Sequence, residues 1–300
     1  MYSSQLETFV HVAEAGSFSR AAENAFITPQ AVIKQITLLE SSLGLKLFER
    51  THRGAVMTAA GEALYKDAKY IIQYSKDSLA RARNAARDSG NTVRVGTSLM
   101  TPGKLLMDLW PQVHEQYPEL KIQLIPFENT PENAREILAN LGRNIDVVVG
   151  IYDGEFLRSR GCAALELSME PVSCAVSVQH RLAEKTELDI TDLYGENLML
   201  IRRGWNSYID LMRDDLWQNH RRINIVDFSF YDVHVFNQCE NNNDVLMVVS
   251  MMHNAHPLLK ILPVRWPYRV PFGLLHATDP SPQMRSYLTA VSKAVSAHNL

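Results

Sequence analysis

Gln30, Ile33, Lys34 and Thr37 recur at i, i+3, i+4 and i+7 and therefore share one face of a helix. In a DNA major groove a Gln amide can pair with adenine, a Lys ammonium with guanine or phosphate, and a branched aliphatic with a thymine methyl. Val32, Ile36 and Leu39 fall on the opposite face and are spaced to be buried. A solvated helix face would show similar polar spacing. Ile33 favours the groove, because an exposed aliphatic within a polar strip costs solubility.

Thr28-Pro29 opens this helix, with Thr as N-cap and Pro at the first helical position. A shorter helix precedes it, capped by Ser17 or Ser19 and carrying Arg20. Ala21, Ala22 and Ala25 keep it slim enough for a close crossing, and Phe18 and Phe26 are expected to supply the bulk of a small core. Ser4-Gln-Leu-Glu7 reads as a capping box for a first helix, whose Leu6, Phe9, Val10 and Ala13 share a face. Gly16 ends that helix. Leu45–Arg50 and Ala55–Met57 flank the turn Thr51-His-Arg-Gly54, so that Arg50, His52 and Arg53 can grip backbone phosphates from a short β-wing. A plain surface hairpin would read alike; its place directly after the helix pair favours the wing.

A second set of candidates lies where strands end. Thr92–Thr97, Leu120–Phe127 and Ile145–Ile151 read as strands alternating with helices at Thr101–Gln116 and Pro131–Leu141, the pattern of a parallel sheet covered on both faces. Further strands are expected at Cys162–Leu167, Pro171–Val178, Asn197–Ile201, Asn224–Phe228, Val245–Val249, Leu259–Pro263 and Phe272–His276. Helices are expected at Asn206–Gln218, Asp232–Cys239 and Gln283–Ala297. Ligands in such sheets sit at the carboxyl ends of the strands, near helix N-termini. That nominates Thr97, Ser98, Thr101, Asn129, Thr130, Tyr152, Arg202, Arg203, Trp205 and Asn206. Two arginines beside a Trp suit a carboxylate with an apolar body, so an organic anion is the expected effector class. Helix caps and a solvated arginine loop are the plainer reading of the same residues.

Between the two sets, Thr58 to about Asp88 holds no Pro. Leu64, Ala68, Ile71, Ser75, Leu79, Ala82 and Ala86 recur at alternating three- and four-residue steps, as in a coiled-coil seam that needs a partner chain. Packing of this helix on its own domain is the alternative.

Composition sets outer bounds. Three hundred residues, 46 % hydrophobic and 21 % charged, describe a globular chain of two or more domains. Net charge is −3, yet residues 1–90 carry 11 basic and 9 acidic side chains against 19 and 24 in the remainder, an asymmetry in the sense expected of a DNA-contacting N-terminus. Apolar runs such as Val147–Ile151 and Val245–Val249 are too short to span a bilayer, and MYSSQLETF lacks a basic-then-apolar leader; no membrane partner and a cytoplasmic location are expected. Cys162, Cys174 and Cys239 form no paired spacing, in keeping with a reducing compartment. His253 and His256 lack a third ligand at a recurrent spacing and read as loop histidines. No catalytic motif is present, and neither an enzyme, a metal nor a cofactor is expected.

The run from Leu6 to Leu64 closely resembles the DNA-binding domain of LysR-type transcriptional regulators. Phe9, Gly16-Ser-Phe18, Ala21-Ala22, Ala31-Val32, Gln35-Ile36, Leu39-Glu40, Leu43-Gly44, Leu47-Phe48, Arg50 and Thr58-Ala-Ala-Gly61 carry the match. Pro29 and Ile33 depart from it, standing where the family usually has Gln and Ser. The resemblance implies an α+β multidomain chain: a winged helix-turn-helix at 1–60 and a dimerising linker helix at 58–89. An α/β two-lobed, periplasmic-binding-protein-like domain would follow at 92–300, with lobe I formed by 92–162 plus 266–300 and lobe II by 163–265. It further implies a homodimer or homotetramer on double-stranded DNA, controlled by a small-molecule effector between the lobes. A stand-alone small-molecule binder whose N-terminal helices only oligomerise is the competing expectation.

Overall fold

The computed structural model describes residues 3–298 apart from 52–53, 88–89, 99, 102, 250–251 and 253–255. It divides into two compact units, Met1–Arg87 and Asp88–Leu300.

The N-terminal unit is a three-helix core with a hairpin and a long fourth helix. Helix α1 (Ser4–Ala15) is capped by Ser3, whose hydroxyl accepts from the Leu6 N–H, one residue earlier than a box built on Ser4 would place the start. Gly16 closes it in the left-handed conformation. Ser17, rather than Ser19, caps α2 (Phe18–Asn24), and Thr28 caps α3 (Pro29–Leu43) with Pro29 in its first turn. Val32, Ile36 and Leu39 are buried with Phe9, Val12, Ala21 and Ala22 in one core. Strands β1 (Phe48–Thr51) and β2 (Gly54–Met57) pair antiparallel, and Phe48 joins the core against Phe9 and Phe18.

Phe26 is not a core residue. Its backbone is left-handed (φ 55°) and its side chain is 96 % exposed. The reason is the end of α2: the Phe26 N–H donates to the Glu23 carbonyl and the Ile27 N–H to the Ala22 carbonyl, a Schellman closure that fixes residue 26 as the left-handed position. That backbone turns the side chain outward whatever its polarity.

Helix α4 (Ala59–Arg87) is 29 residues long, about 43 Å at the usual rise. Part of the expected seam packs on its own unit: Ala68 and Ser75 are buried and Leu64 borders the core, beside Ile72 and Tyr65 from outside the seam, and Lys69 and Lys76 pair with Glu14 and Glu7 of α1. Tyr70, Ile71, Tyr74 and Leu79 remain exposed.

The C-terminal unit is a mixed sheet with helices on both faces. β3 (Thr92–Thr97) pairs in parallel with β4 (Lys121–Pro126) and β5 (Val147–Ile151). Helices α5 (Lys104–Gln116), α6 (Pro131–Ala139) and α7 (Gly154–Arg160) follow these strands in turn. β8 (Asn197–Ile201) is likewise parallel to β9 (Asn224–Phe228) and β10 (Val245–Val249), with α8 (Ser207–Asn219) and α9 (Val233–Asn242) between them. The two halves are joined by β6 (Cys162–Ser177), a 16-residue strand where sequence suggested two. Its first part pairs with β12 (Arg269–Ala277), its second with β10 and β11 (Leu259–Arg265). Pro171 did not break the strand: it sits opposite Arg269, at the changeover between the two pairings. β11 also takes up the short β7 (Leu188–Asp189), and α10 (Pro282–His298) packs on α5.

The crossover is tight. A Cβ on Gly273 would lie 2.1 Å from the Leu165 carbonyl oxygen, so only glycine allows β12 to approach β6 at the irregularity between 272 and 273. β5 divides two apolar layers: Val147, Val149 and Ile151 face the large core with α5 and α10, while Val148 faces a smaller one with Leu138, Phe156 and Leu275 beneath α6 and α7.

Candidate functional site

On α3, Gln30, Lys34 and Thr37 are exposed, and Ile33 is half-exposed and outside the apolar core. The Thr37 hydroxyl donates to the Ile33 carbonyl at 2.9 Å, leaving its oxygen lone pairs and methyl outward. Leu38, 49 % exposed, extends the strip; sequence reasoning passed over it although it stands four residues from Lys34. Ser19 and Arg20 are exposed on α2, the Ser17 and Thr28 hydroxyl oxygens accept the capping N–H of Arg20 and Ala31, and Pro29 is exposed at the head of α3. Arg50 lies in β1; His52 and Arg53 lie outside the described residues.

Two contacts hold this surface in shape. The buried Glu40 carboxylate accepts from the Leu47 and Phe48 N–H groups and from Lys46 Nζ, fixing the end of α3 to the start of β1. Burial pushes its proton affinity up, yet the bonds from Lys46, Leu47 and Phe48 outweigh this and hold the carboxyl below its ordinary value. The hairpin is tied to the α1–α2 turn by the Ala55 N–H on the Gly16 carbonyl. A Cβ on Gly54 would come within 2.4 Å of that same oxygen.

The C-terminal unit contains an open-mouthed cavity of about 190 Å³ at the carboxyl ends of its parallel strands. Thr101, Asn129, Arg202 and Trp205 line it; Thr97, Ser98, Thr130, Tyr152, Arg203 and Asn206 do not. Each of the six is otherwise placed. Thr130 and Asn206 cap α6 and α8. Ser98 bonds Thr101 across a turn at 2.8 Å, so that α5 begins only at Lys104. The Thr97 carbonyl accepts from the Phe127 N–H. Tyr152 donates to Glu166 at 3.3 Å, and burial followed by that carboxylate pushes its hydroxyl up to about 12. Arg203 is exposed and paired with Asp214.

Sequence reasoning missed the wall formed by Phe127, Phe156, Phe230 and Tyr231, and the two further arginines at 135 and 160. Phe156 and Arg160 come from α7, a helix too short for periodicity to reveal. Its ends were nonetheless marked by Asp153, which caps it, and by Gly161 in the left-handed position. Asp153 also accepts from the Ser207 N–H at the start of α8, and Asn129 Nδ2 donates to the Tyr231 carbonyl at 2.7 Å. Residues far apart in the chain thus close around the cavity. Among the described residues no cluster of His, Cys, Asp and Glu could hold a metal, and no helix is long and apolar enough to cross a membrane. His253 lies outside the described residues, and His256 bonds Asn237 at 3.1 Å.

Comparison with known families decides what these two features belong to. Residues 3–62 match the family described as bacterial regulatory helix-turn-helix protein, lysR family, and residues 86–296 match the LysR substrate binding domain. The chain belongs to the LysR family.

This LysR-family chain is 41 % identical over 91 residues to the HTH-type transcriptional regulator ClcR of Pseudomonas putida, covering 30 % of this chain and 31 % of that protein. Over 198 residues it is 28 % identical to the Hca operon transcriptional activator HcaR of Escherichia coli, covering 65 % of this chain and 63 % of HcaR. The matched stretches thus span less than two-thirds of either relative. Among solved structures, the LysR-family transcriptional regulator CbnR superposes with a TM-score of 0.61 at 21 % identity, over 98 % of this chain and 99 % of CbnR. Full-length CbnR complexed with its target DNA gives 0.58 at 22 %, over 98 % and 100 %. These likenesses show the shared fold: an N-terminal helix-turn-helix followed by a two-lobed α/β domain. The family and these relatives are transcriptional regulators, not enzymes.

Proposed function

We propose that this protein is a cytoplasmic, sequence-specific DNA-binding transcriptional regulator, controlled by a small molecule held in the cavity of its C-terminal domain. The observation that carries the reading is the outward strip on α3, where Ile33 stands half-exposed among Gln30, Lys34 and Thr37 and takes no part in the core. A helix with that surface, capped and braced as α3 is, presents base-reading groups in the major groove. Ser17, Ser19, Arg20, Thr28, Pro29, Arg50, His52 and Arg53 complete the proposed DNA contacts, chiefly to phosphate. In domain terms, residues 1–60 read DNA, 58–89 form the linker helix, and 92–300 sense the effector. Full-length CbnR has been solved with its target DNA, which supports the same partner here.

Tyr70, Ile71, Tyr74 and Leu79 on the open side of α4 supply the surface on which a second copy would pack, giving a homodimer or homotetramer. The effector acts through its differential affinity for open and closed arrangements of the two lobes; an equal affinity for both would regulate nothing. Sequencing genomic fragments retained by the purified protein tests the reading. A defined set of sites, held with a steep salt dependence, is expected. Absence of salt-sensitive DNA binding would instead leave a stand-alone ligand-binding oligomer.

A further inference from the structure

The cavity has two differently built ends. Toward the strand termini it is lined by Thr101, Asn129, Arg202, Trp205 and Tyr231. Beneath α6 and α7 it continues as an apolar chamber walled by Leu138, Val148, Phe156 and Leu275. Arg135 of α6 and Arg160 of α7 line the same cavity. Neither guanidinium pairs with a described carboxylate, whereas Arg203, Arg213, Arg265 and Arg285 all do. Arg160 lies over the Phe156 ring, 4.3 Å from its centroid, which holds the cation against the chamber wall.

Two like charges beside an apolar chamber are unfavourable without an anion between them. Burial first and the charge of Arg135 second both lower the proton affinity of Arg160. The room in the chamber comes from Gly150, whose backbone is ordinary and at which a Cβ would meet only Leu275, at 3.5 Å. A larger residue would fill the space without straining the strand.

We propose that this chamber is a binding subsite for an organic carboxylate with a compact apolar body, its charge held by Arg135 and Arg160 and its body packed between Val148, Phe156 and Leu275. The proposal rests on the ligand-controlled reading above. It moves the anion site away from the Arg202–Arg203 loop to the α6–α7 side of the cavity. A bidentate guanidinium contact supplies the charge recognition, and the chamber, which offers few polar partners, selects against small hydrophilic dicarboxylates.

Titration calorimetry on the full-length chain tests it, using benzoate, phenylacetate and cyclohexanecarboxylate, each beside its carboxamide, with succinate as a charged but hydrophilic control. At least one carboxylate is expected to bind at least roughly tenfold more tightly than its amide and than succinate. Arg135→Gln and Arg160→Gln are each expected to weaken that carboxylate by roughly tenfold or more, and Arg203→Gln to leave it unchanged. Gly150→Val should abolish binding while the thermal transition stays in place. Arg135 is exposed, so its variant folds even where Arg160→Gln does not. Equal affinity for acid and amide, unchanged affinity in Arg135→Gln, or no carboxylate bound up to roughly 10 mM would each overturn the subsite. DNA retention, read separately, reports on the regulator assignment and is independent of all three outcomes.

Discussion

The two units expose their chemistry by opposite means. The N-terminal unit turns its candidate residues outward from a single helix, so Gln30, Ile33, Lys34 and Thr37 owe their alignment to the helical repeat alone. The C-terminal unit turns its candidates inward, and the cavity draws side chains from Met100 to Leu275. A local surface tolerates changes at its face but depends on a few braces behind it. An assembled cavity depends on the crossing strands that bring its walls together.

Substitutions should separate the two kinds of dependence, and the largest effect belongs to the assembled one. Gly273→Ala would drive a methyl into the Leu165 carbonyl oxygen, and we expect loss of folded C-terminal domain by about 3 kcal/mol or more, seen as collapse of its thermal transition. A surviving cavity with normal stability would mean that β12 can shift without cost.

In the N-terminal unit the corresponding brace is Glu40. Glu40→Ala leaves the buried Leu47 and Phe48 N–H groups without their acceptor and should cost about 2–3 kcal/mol, confined to the transition of residues 3–87. The same carboxyl supplies a pH test. Its proton affinity is depressed in the folded state, so its stabilisation is complete above the unfolded-state value and is lost as pH falls through the folded one. Acid titration followed by circular dichroism should therefore show extra loss of the N-terminal transition below the usual carboxylate range. Glu40→Gln should flatten that loss.

Ile33→Ser is expected to leave stability unchanged and to alter base preference by about 1–3 kcal/mol at one position of the bound sites, measured by selection from a random pool. A uniform loss of affinity across sequences would place Ile33 in the fold instead of the interface. The smallest effect carries the opposite sign. Phe26→Gly relieves a left-handed backbone borne by a non-glycine residue and should stabilise the N-terminal unit by about 1 kcal/mol.

How far each region was legible follows from the same contrast. The caps at Ser17 and Thr28, the buried face of α3 and the hairpin could be read because each rests on residues within a few positions of one another. Phe26 was misread for a related reason. Hydrophobicity suggested burial, but the hydrogen bonds that close α2 set its backbone, and backbone outranks side-chain preference there. In the cavity, Thr101, Asn129, Arg202 and Trp205 were within reach of the strand-end rule, whereas Phe156 and Arg160 sit on a seven-residue helix with no periodicity to detect. Arg203 shows the rule's limit: adjacent in sequence to Arg202, it pairs with Asp214, and chain adjacency could not say which arginine faced the cavity.

The sequence by itself determined the order of elements, the polar and apolar faces of α3, and membership of a two-part regulator family, since these depend on short-range spacing and stereochemistry. Only the tertiary structure decided that β6 runs unbroken through both halves of its domain, that part of the α4 seam packs on its own unit, and that Arg135 and Arg160 line one cavity. Those outcomes depend on which distant segments meet, and a chain fixes that only through the burial and hydrogen bonding of the whole.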